Sequence, residues 1–256
     1  MVTKAAKREG FMATIAQPSA RIRSDRLFYT SMGLAIAATI FWGFSASFYL
    51  SRWLTPPPTT PDMTPLLYAH GAAFTAWMGL MVAQPLLVAS RNLRLHRRMG
   101  WFGVGTAAAM VVLGNLAAIA AMHGGFRGLG DPMVFYAVPF FAINSFAVAA
   151  LLAFLWRRRS ETHKRLILLA NVPLLGAAVA RIPLYAIQAT APLSFIFGPN
   201  LVILAGIVFD WRTRGRVHPV WIWGGSAMIG SQLLMMAVMG TGWWHGFAET
   251  MAALYR

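Results

Sequence analysis

Seven long stretches of mainly apolar residues constrain this chain more than any other feature of its sequence. A helix that crosses the hydrocarbon core of a bilayer needs about 20 such residues. The pattern predicts an all-α integral membrane protein with seven transmembrane helices. The predicted spans are residues 27–54, 64–89, 99–122, 133–156, 166–188, 193–209 and 218–240. The sixth span is the shortest, and Pro199 and Asn200 within it predict a broken or tilted helix.

The composition agrees with a membrane location, since 58% of the residues are hydrophobic and only 11% are charged. Soluble domains carry roughly a quarter charged residues, so the composition argues against a soluble domain and against disorder. The net charge is +15. In a soluble protein this excess would indicate nucleic-acid binding, but here it indicates orientation in a lipid bilayer, and no nucleic-acid partner is predicted. The absence of cysteine excludes disulfides, thiolate metal sites and covalently attached c-type haem.

The basic residues alternate from one side of the predicted spans to the other. Eighteen of the 22 Lys and Arg residues lie in the N-terminal segment and in the loops after the second, fourth and sixth spans. Positive charge stays on the cytoplasmic side of a membrane. The sequence therefore predicts a cytoplasmic basic tail over residues 1–26, a seven-helix membrane domain over 27–240 and a short external C-terminal tail over 241–256.

Two of the predicted helical hairpins have similar turns, separated by 67 residues. The turn sequences are His96-Arg97-Arg98 and His163-Lys164-Arg165. A cytoplasmic turn collects basic residues for topological reasons alone, but this does not explain a histidine at the same place in both turns. The pattern predicts a parallel pseudo-repeat, with a four-helix core at about residues 64–188.

Three polar residues are predicted to lie at one depth in the outer half of this core, roughly 9–12 Å below the outer boundary. They are His70, Asn115 and Arg181. Ionisable groups inside spans are costly and indicate functional sites, and no acidic residue lies at that level to neutralise Arg181. The three residues are therefore a candidate site for an anionic ligand. The alternatives are that Arg181 snorkels or bonds helix carbonyls, and that His70 only packs helices.

Three other polar residues in the spans are predicted to hold helices together, namely Gln84, Asn144 and Asn171.

The histidines divide between the two sides of the predicted membrane. The inner side is predicted to hold His96, His163 and His218, and the outer half His70, His123 and His245. A bis-histidine haem near each surface would give this division, so His70, His96 and His163 are candidate ligands of haem b. The seven acidic residues all lie in tails, loops or span ends, which argues against a proton-coupled or sodium-coupled pump.

A set of motifs between residues 70 and 183 resembles an uncharacterised family of bacterial multi-pass membrane proteins. The motifs are His70, Gln84, His96-Arg97-Arg98-Met99-Gly100, Gly124-Gly125, His163-Lys164-Arg165 and Arg181. The resemblance implies a shared four-helix core and a bacterial inner-membrane location, but it implies no reaction. Helix count and histidine placement are also similar to b-type di-haem membrane cytochromes, at the level of fold analogy.

These observations leave three hypotheses about function open, and none of them names a catalytic residue. The first is an accessory or assembly subunit of a larger membrane complex, in keeping with the small-residue helix faces and 15 methionines. The second is a haem-binding redox protein. The third is a carrier or receptor for a small anionic or lipidic ligand, bound at His70, Asn115 and Arg181. An intramembrane enzyme that acts on lipid is a further alternative.

Overall fold

The computed structural model of the protein describes residues 20–124, 126 and 128–255. Most of the predicted N-terminal tail lies outside these residues, as do Gly125, Arg127 and Arg256. The described chain contains helices and loops and no strand. Its α-helices are α1 Ala20–Gly43, α2 Pro65–Ala89, α3 Leu93–Ala121, α4 Pro132–Phe135, α5 Ala137–Leu155, α6 Ser160–Val179, α7 Tyr185–Ala189, α8 Leu193–Phe197, α9 Leu201–Arg214, α10 Gly225–Val238 and α11 Gly242–Ala253.

Five helical segments in the described chain are long and apolar enough to cross a membrane. They are Pro65–Ala89, Leu93–Ala121, Pro132–Leu155, Leu193–Arg214 and Val220–Val238. These segments correspond to the second, third, fourth, sixth and seventh predicted spans. Five of the seven predicted spans are thus confirmed. The other two correspond to α1 and α6, whose apolar lengths are shorter because each helix begins with a charged turn.

The two remaining predicted spans also end earlier than the sequence suggests. Helix α1 ends at Gly43 and is followed by a π-helical segment, Ser45–Tyr49. Helix α6 ends at Val179, whereas the predicted span runs to residue 188. The physical reason at α6 is Pro183, which lacks an amide hydrogen and disfavours helical geometry in the residue before it.

The predicted break in the sixth span is confirmed. A short 3-10 helix, Gly198–Asn200, separates α8 from α9. The side chains of Asn200 and Gln232 exchange two hydrogen bonds of 2.8 and 3.3 Å, which link the break to α10. Irregular backbone at membrane depth is tolerated where such contacts satisfy its polar groups.

Two hairpins, α2–α3 and α5–α6, make up the centre of the bundle and meet through α3 and α5. Gly114 allows this approach, since a Cβ atom there would lie 2.9 Å from Ile143. Helix α1 packs across α2 and α6, and it contributes Ile36 and Ile40 to the main hydrophobic cluster. The predicted four-helix core therefore has α1 as a fifth closely packed member.

The last residues, predicted as an external tail, are mostly helical. Helix α11 packs on the start of α5 through a second hydrophobic cluster, which includes Tyr136, Trp244 and Ala248. Trp244 is 1% exposed, and its indole nitrogen donates to the Met133 carbonyl at 2.9 Å. The residues after the last span thus form part of the folded bundle.

Candidate functional site

The two ends of the bundle differ in their polar chemistry. The end at which α3 and α6 begin, which we call the basic end, carries the two histidine-containing turns. The opposite end, which we call the distal end, holds the start of α2 and the end of α6. His70 and Arg181 lie at the distal end, and His96 and His163 lie at the basic end.

Arg181 lies in the turn directly after α6 and lacks an acidic partner among the described residues. Its Nη1 donates to the carbonyl oxygen of Ala177 at 2.7 Å. The guanidinium carbon lies 4.7 Å from the centroid of the Phe44 ring, in a cation–π contact. By surface area the residue is exposed, but protein atoms crowd around its guanidinium and desolvate it. Its N–H donors other than the one bonded to Ala177 are available to a ligand on the open side.

His70 lies near the start of α2, close enough to Arg181 to experience its charge. Its imidazole stacks on Phe74 with ring centroids 4.2 Å apart. The carbonyl of Leu113 lies beside the ring, but the Nδ1 atom is buried without a hydrogen-bond partner. A buried polar atom without a partner is costly, so Nδ1 is a candidate contact for a ligand.

A second buried polar atom without a partner, the hydroxyl oxygen of Ser47, lies in the neighbouring π-helical segment. This segment begins beside Phe44, which lies under Arg181. It packs on α2 through Phe48, whose ring would collide with a side chain at Gly71. Isolated π-helical turns are frequent at functional sites. The distal end thus combines an unpaired arginine with two unsatisfied polar atoms.

Asn115, the third predicted ligand residue, has a different set of contacts. Its amide nitrogen donates to the Val111 carbonyl at 2.9 Å. Its oxygen accepts a bond of 3.3 Å from the Asn144 amide, which joins α3 to α5. The structure therefore places His70 and Arg181 at the same end of the bundle, within electrostatic range of each other, whereas Asn115 packs helices.

The predicted packing role of the other intramembrane amides is confirmed. Besides Asn144, the buried Asn171 accepts from the indole of Trp77 at 3.0 Å and donates to Ile167 at 2.7 Å. Gln84 connects the two helices of the first hairpin. The Gly100 amide, which can only donate, orients the Gln84 amide so that its oxygen accepts from Gly100 at 3.1 Å. In that orientation its nitrogen donates to Nδ1 of His96 at 2.6 Å.

His96 and His163 occupy equivalent places, each the fourth residue of its helix. Each ring reaches back to the preceding helix, His96 to Gln84 and His163 through Nδ1 to the Ala153 carbonyl at 2.8 Å. The two rings also lie within electrostatic range of each other. Both histidines therefore tie their turn to the preceding helix through Nδ1, although His96 accepts there and His163 donates. Their equivalent positions support the predicted pseudo-repeat.

These hydrogen bonds fit a haem ligand at only one of the two rings. His163 donates through Nδ1, which leaves the lone pair of Nε2 for a metal. His96 accepts at Nδ1, so its neutral ring carries the proton on Nε2, the atom that an iron ion would need. His70 lies at the opposite end of the bundle and cannot complete this pair.

The remaining outer histidines contact α11 and the loop before α4. His123 hydrogen-bonds the Ala252 carbonyl at 3.0 Å. His245 lies between Asp131 and Glu249, at 3.2 and 3.3 Å from their carboxylate oxygens. Met133 and the Glu249 side chain help to line a hollow of about 340 Å³ beside them. The described residues contain no group of three or more ligands that could hold a metal ion.

The sequence did not reveal a buried ion cluster at the basic end. Arg165 and Asp210 are both fully buried, and Nε of Arg165 donates to Asp210 at 2.8 Å. Around this pair, Glu161 bonds Arg165 at 2.9 Å. Asp25 accepts from Lys164 at 2.8 Å and from Arg214 at 2.6 Å. Three carboxylates and three cations thus join α1, α6 and α9 into a neutral network.

Two spacing signals point to this cluster in retrospect. Glu161 precedes Lys164 and Arg165 by three and four residues, and Asp210 precedes Arg214 by four. Such spacings place opposite charges on one helix face. The spacing cannot indicate the long-range pair, because Arg165 and Asp210 are 45 residues apart.

The cluster also changes the acidity of Glu161, which lies outside the predicted spans. Burial raises the pKa of this carboxyl, but hydrogen bonds and charges from Lys164 and Arg165 outweigh it and hold the pKa at about 2. Glu161 is therefore ionised at neutral pH. Its negative charge faces Lys164 and Arg165 at that pH.

Helices of this length and apolarity, with polar groups between them, define the chain as a helical membrane protein. Comparisons with protein-family models, with curated proteins and with solved structures found no match.

Proposed function

We propose that the protein spans the bacterial inner membrane seven times, with the basic end in the cytoplasm. Helices α1 and α6 supply the two crossings beyond the five long apolar segments. Each runs alongside a segment that is long enough to span, since α1 packs on α2 and α6 packs on α5. The concentration of arginine at one end supports this orientation. The distal end then faces the outer leaflet.

Within that topology, we propose that the protein is a carrier or receptor for a small anionic amphiphile, bound at Arg181. The observation that carries the proposal is the guanidinium itself, which is desolvated, lies over Phe44 and has no carboxylate partner in the described chain. A charge in such a place is costly unless a partner neutralises it. An anionic ligand provides that partner.

The neighbouring polar atoms suit the head of such a ligand. Arg181 offers a planar set of N–H donors that matches a carboxylate or phosphate. Ser47 can donate through its free hydroxyl. Nδ1 of His70 accepts a hydrogen bond from a ligand hydroxyl when the ring is neutral, and donates when it is protonated. The buried atoms of Ser47 and His70 would gain the hydrogen bonds that they lack.

The surroundings suit an apolar tail. Phe44 lies under Arg181 and Phe74 lies against His70. At the distal end, α2 exposes Tyr68 to a fraction of 58%. Apolar surface next to a single charged group is typical of sites that orient a ligand with a few polar contacts. The ligand class that follows is a carboxylate or phosphate with a hydrocarbon chain.

The test compares dodecanoate with dodecanol, which share a chain length and differ in charge. The full chain is placed in nanodiscs of zwitterionic lipid, and binding of each radiolabelled probe is measured against empty nanodiscs. We expect wild-type protein to prefer dodecanoate. Arg181→Gln should weaken dodecanoate binding on the order of tenfold or more, since hydrogen bonds to charged groups contribute about 1.5–3 kcal/mol. Arg181→Lys should keep part of the affinity.

Arg52→Gln is the matched control. Arg52 is exposed in the loop between α1 and α2, and the substitution removes the same charge as Arg181→Gln does. It should bind dodecanoate as the wild type does. Equal binding of the two probes, or equal effects of the Arg52 and Arg181 substitutions, would overturn the proposal. The accessory-subunit and haem hypotheses stay predictions, and no contact in the described residues favours either over ligand binding.

A further inference from the structure

The basic end contains two populations of cations that differ in their partners. The described acidic residues at this end are Asp25, Glu161 and Asp210, and all three belong to the ion cluster with Lys164, Arg165 and Arg214. The arginines of the two hairpin turns outside the cluster form no ion pair with any described residue. They are Arg91, Arg94, Arg97, Arg98, Arg157, Arg158 and Arg159, and all are exposed.

One member of this second population contacts an exposed aromatic side chain that lies one helical turn from another member. Trp101 lies in α3, one turn beyond Arg97, and is 68% exposed. The guanidinium of Arg157, from the turn of the other hairpin, lies 5.5 Å from the Trp101 ring centroid. Arg97 also lies close enough to His96 to affect it electrostatically. Both hairpins thus supply cations to one edge of the bundle.

Exposed apolar residues continue from this edge along the sides of the helices. Phe102 is 60% exposed next to Trp101, and Leu155 is 62% exposed next to Trp156. Exposed apolar side chains on a membrane helix face hydrocarbon, and tryptophan is enriched at the level of the headgroups. The unpaired arginines therefore lie where the phosphates of a lipid leaflet lie.

We propose that this edge, which includes Arg97, Trp101 and Arg157, binds the phosphate headgroup of an anionic phospholipid. Guanidinium groups hold phosphate oxygens in paired hydrogen bonds, and the acyl chains lie against the exposed apolar residues. The site is independent of the distal ligand site, which lies at the other end of the bundle. In the second turn, Lys164 and Arg165, which correspond to Arg97 and Arg98, are paired within the ion cluster, and Arg157 reaches across to the first turn.

The experiment measures lipid selectivity of the intact chain in detergent by native mass spectrometry. The protein is equilibrated with equimolar phosphatidylglycerol and phosphatidylcholine that have identical acyl chains, and the retained lipids are counted. We expect wild-type protein to retain phosphatidylglycerol preferentially. The double variant Arg97→Gln/Arg157→Gln should reduce that preference on the order of tenfold, from the loss of two cations at the headgroup level.

The matched control is Arg212→Gln/Arg216→Gln, which removes two exposed charges at the same end of the bundle. This control should keep the wild-type preference. An equal loss of phosphatidylglycerol preference in the two double variants would show only a diffuse attraction between the basic end and anionic lipid. That result would overturn the site. Displacement of the lipid by equimolar glycerol 3-phosphate would assign the site to soluble phosphate esters and overturn the lipid assignment. If the double variant unfolds, the single variants Arg97→Gln and Arg157→Gln replace it in the test. Each should lower the lipid preference by about half as much on a logarithmic scale.

Discussion

The two hairpin turns have the same pattern, a histidine followed by two basic residues, but the structure uses them differently. In the second turn, Lys164 and Arg165 point into a buried network with three carboxylates. In the first turn, Arg97 and Arg98 are exposed and form no ion pair in the described chain. The histidines of the two turns, in contrast, make similar contacts with the preceding helices.

The difference arises from what packs against each turn. Helix α1 brings Asp25 to the second turn and α9 brings Asp210. No described acidic side chain reaches the first turn. A local repeat thus sets the geometry of a hairpin, whereas the helices outside the repeat decide whether its charges stabilise the fold or stay available for a partner.

Removal of Asp210 is the substitution with the largest expected effect. Asp210→Ala leaves the fully buried Arg165 without its main carboxylate. Breaking one partner of a buried ion pair costs roughly 3–5 kcal/mol, so we expect a loss of this size in the free energy of unfolding. Reversible unfolding in mixed micelles measures it.

Arg98→Ala is the matched change in the first turn and should cost less than about 0.5 kcal/mol. The double variant Arg165→Met/Asp210→Leu should recover most of the loss, because apolar residues of similar volume can replace a buried pair. Equal destabilisation by Asp210→Ala and Arg98→Ala would contradict the proposed division between the turns.

Acid should weaken the second turn selectively. The carboxyl of Glu161 has a pKa of about 2 in the folded protein, below its ordinary value of about 4.3. A depressed pKa stabilises the fold fully above the ordinary value and progressively less as pH falls toward about 2. Because the side chain is 45% exposed, we expect only about 1 kcal/mol at pH 7.

The comparison of wild type with Glu161→Gln at pH 7, 5 and 3 measures this contribution. The difference in unfolding free energy should be constant from pH 7 to 5 and should fall at pH 3. A difference that grows as the pH falls would contradict the sign of this prediction. Arg98→Ala should show no such dependence on pH.

The two histidines should give small and similar effects. His96→Ala and His163→Ala each remove one side-chain contact to the preceding helix, so each should cost about 1 kcal/mol. We also expect reduced wild-type protein, from cells able to make haem, to show no sharp α and β bands. A haem spectrum that disappears in both variants would instead make these residues ligands.

Most of the helical layout was predictable because it depends on local composition. Apolar length located five spans that the structure confirms, and Pro199 with Asn200 located the break before α9. The end of α6 at Val179 was missed, since mainly apolar residues continue beyond it to Ile187, and composition does not register the loss of helical hydrogen bonds at Pro183. At the site, the sequence selected His70 and Arg181 because charged groups are rare in spans.

The helical class, the basic end and the two equivalent turns can be read from the amino-acid sequence, because each of these follows from residues that are close in the chain. Which charges are paired depends on the packing of the helices. Arg165 and Asp210 form an ion pair although they are 45 residues apart. Asn115 accepts a hydrogen bond from Asn144 on another helix, whereas Arg181 has no acidic partner in the described chain. Burial and pairing depend on neighbours from distant segments, and those neighbours are fixed only when the helices pack.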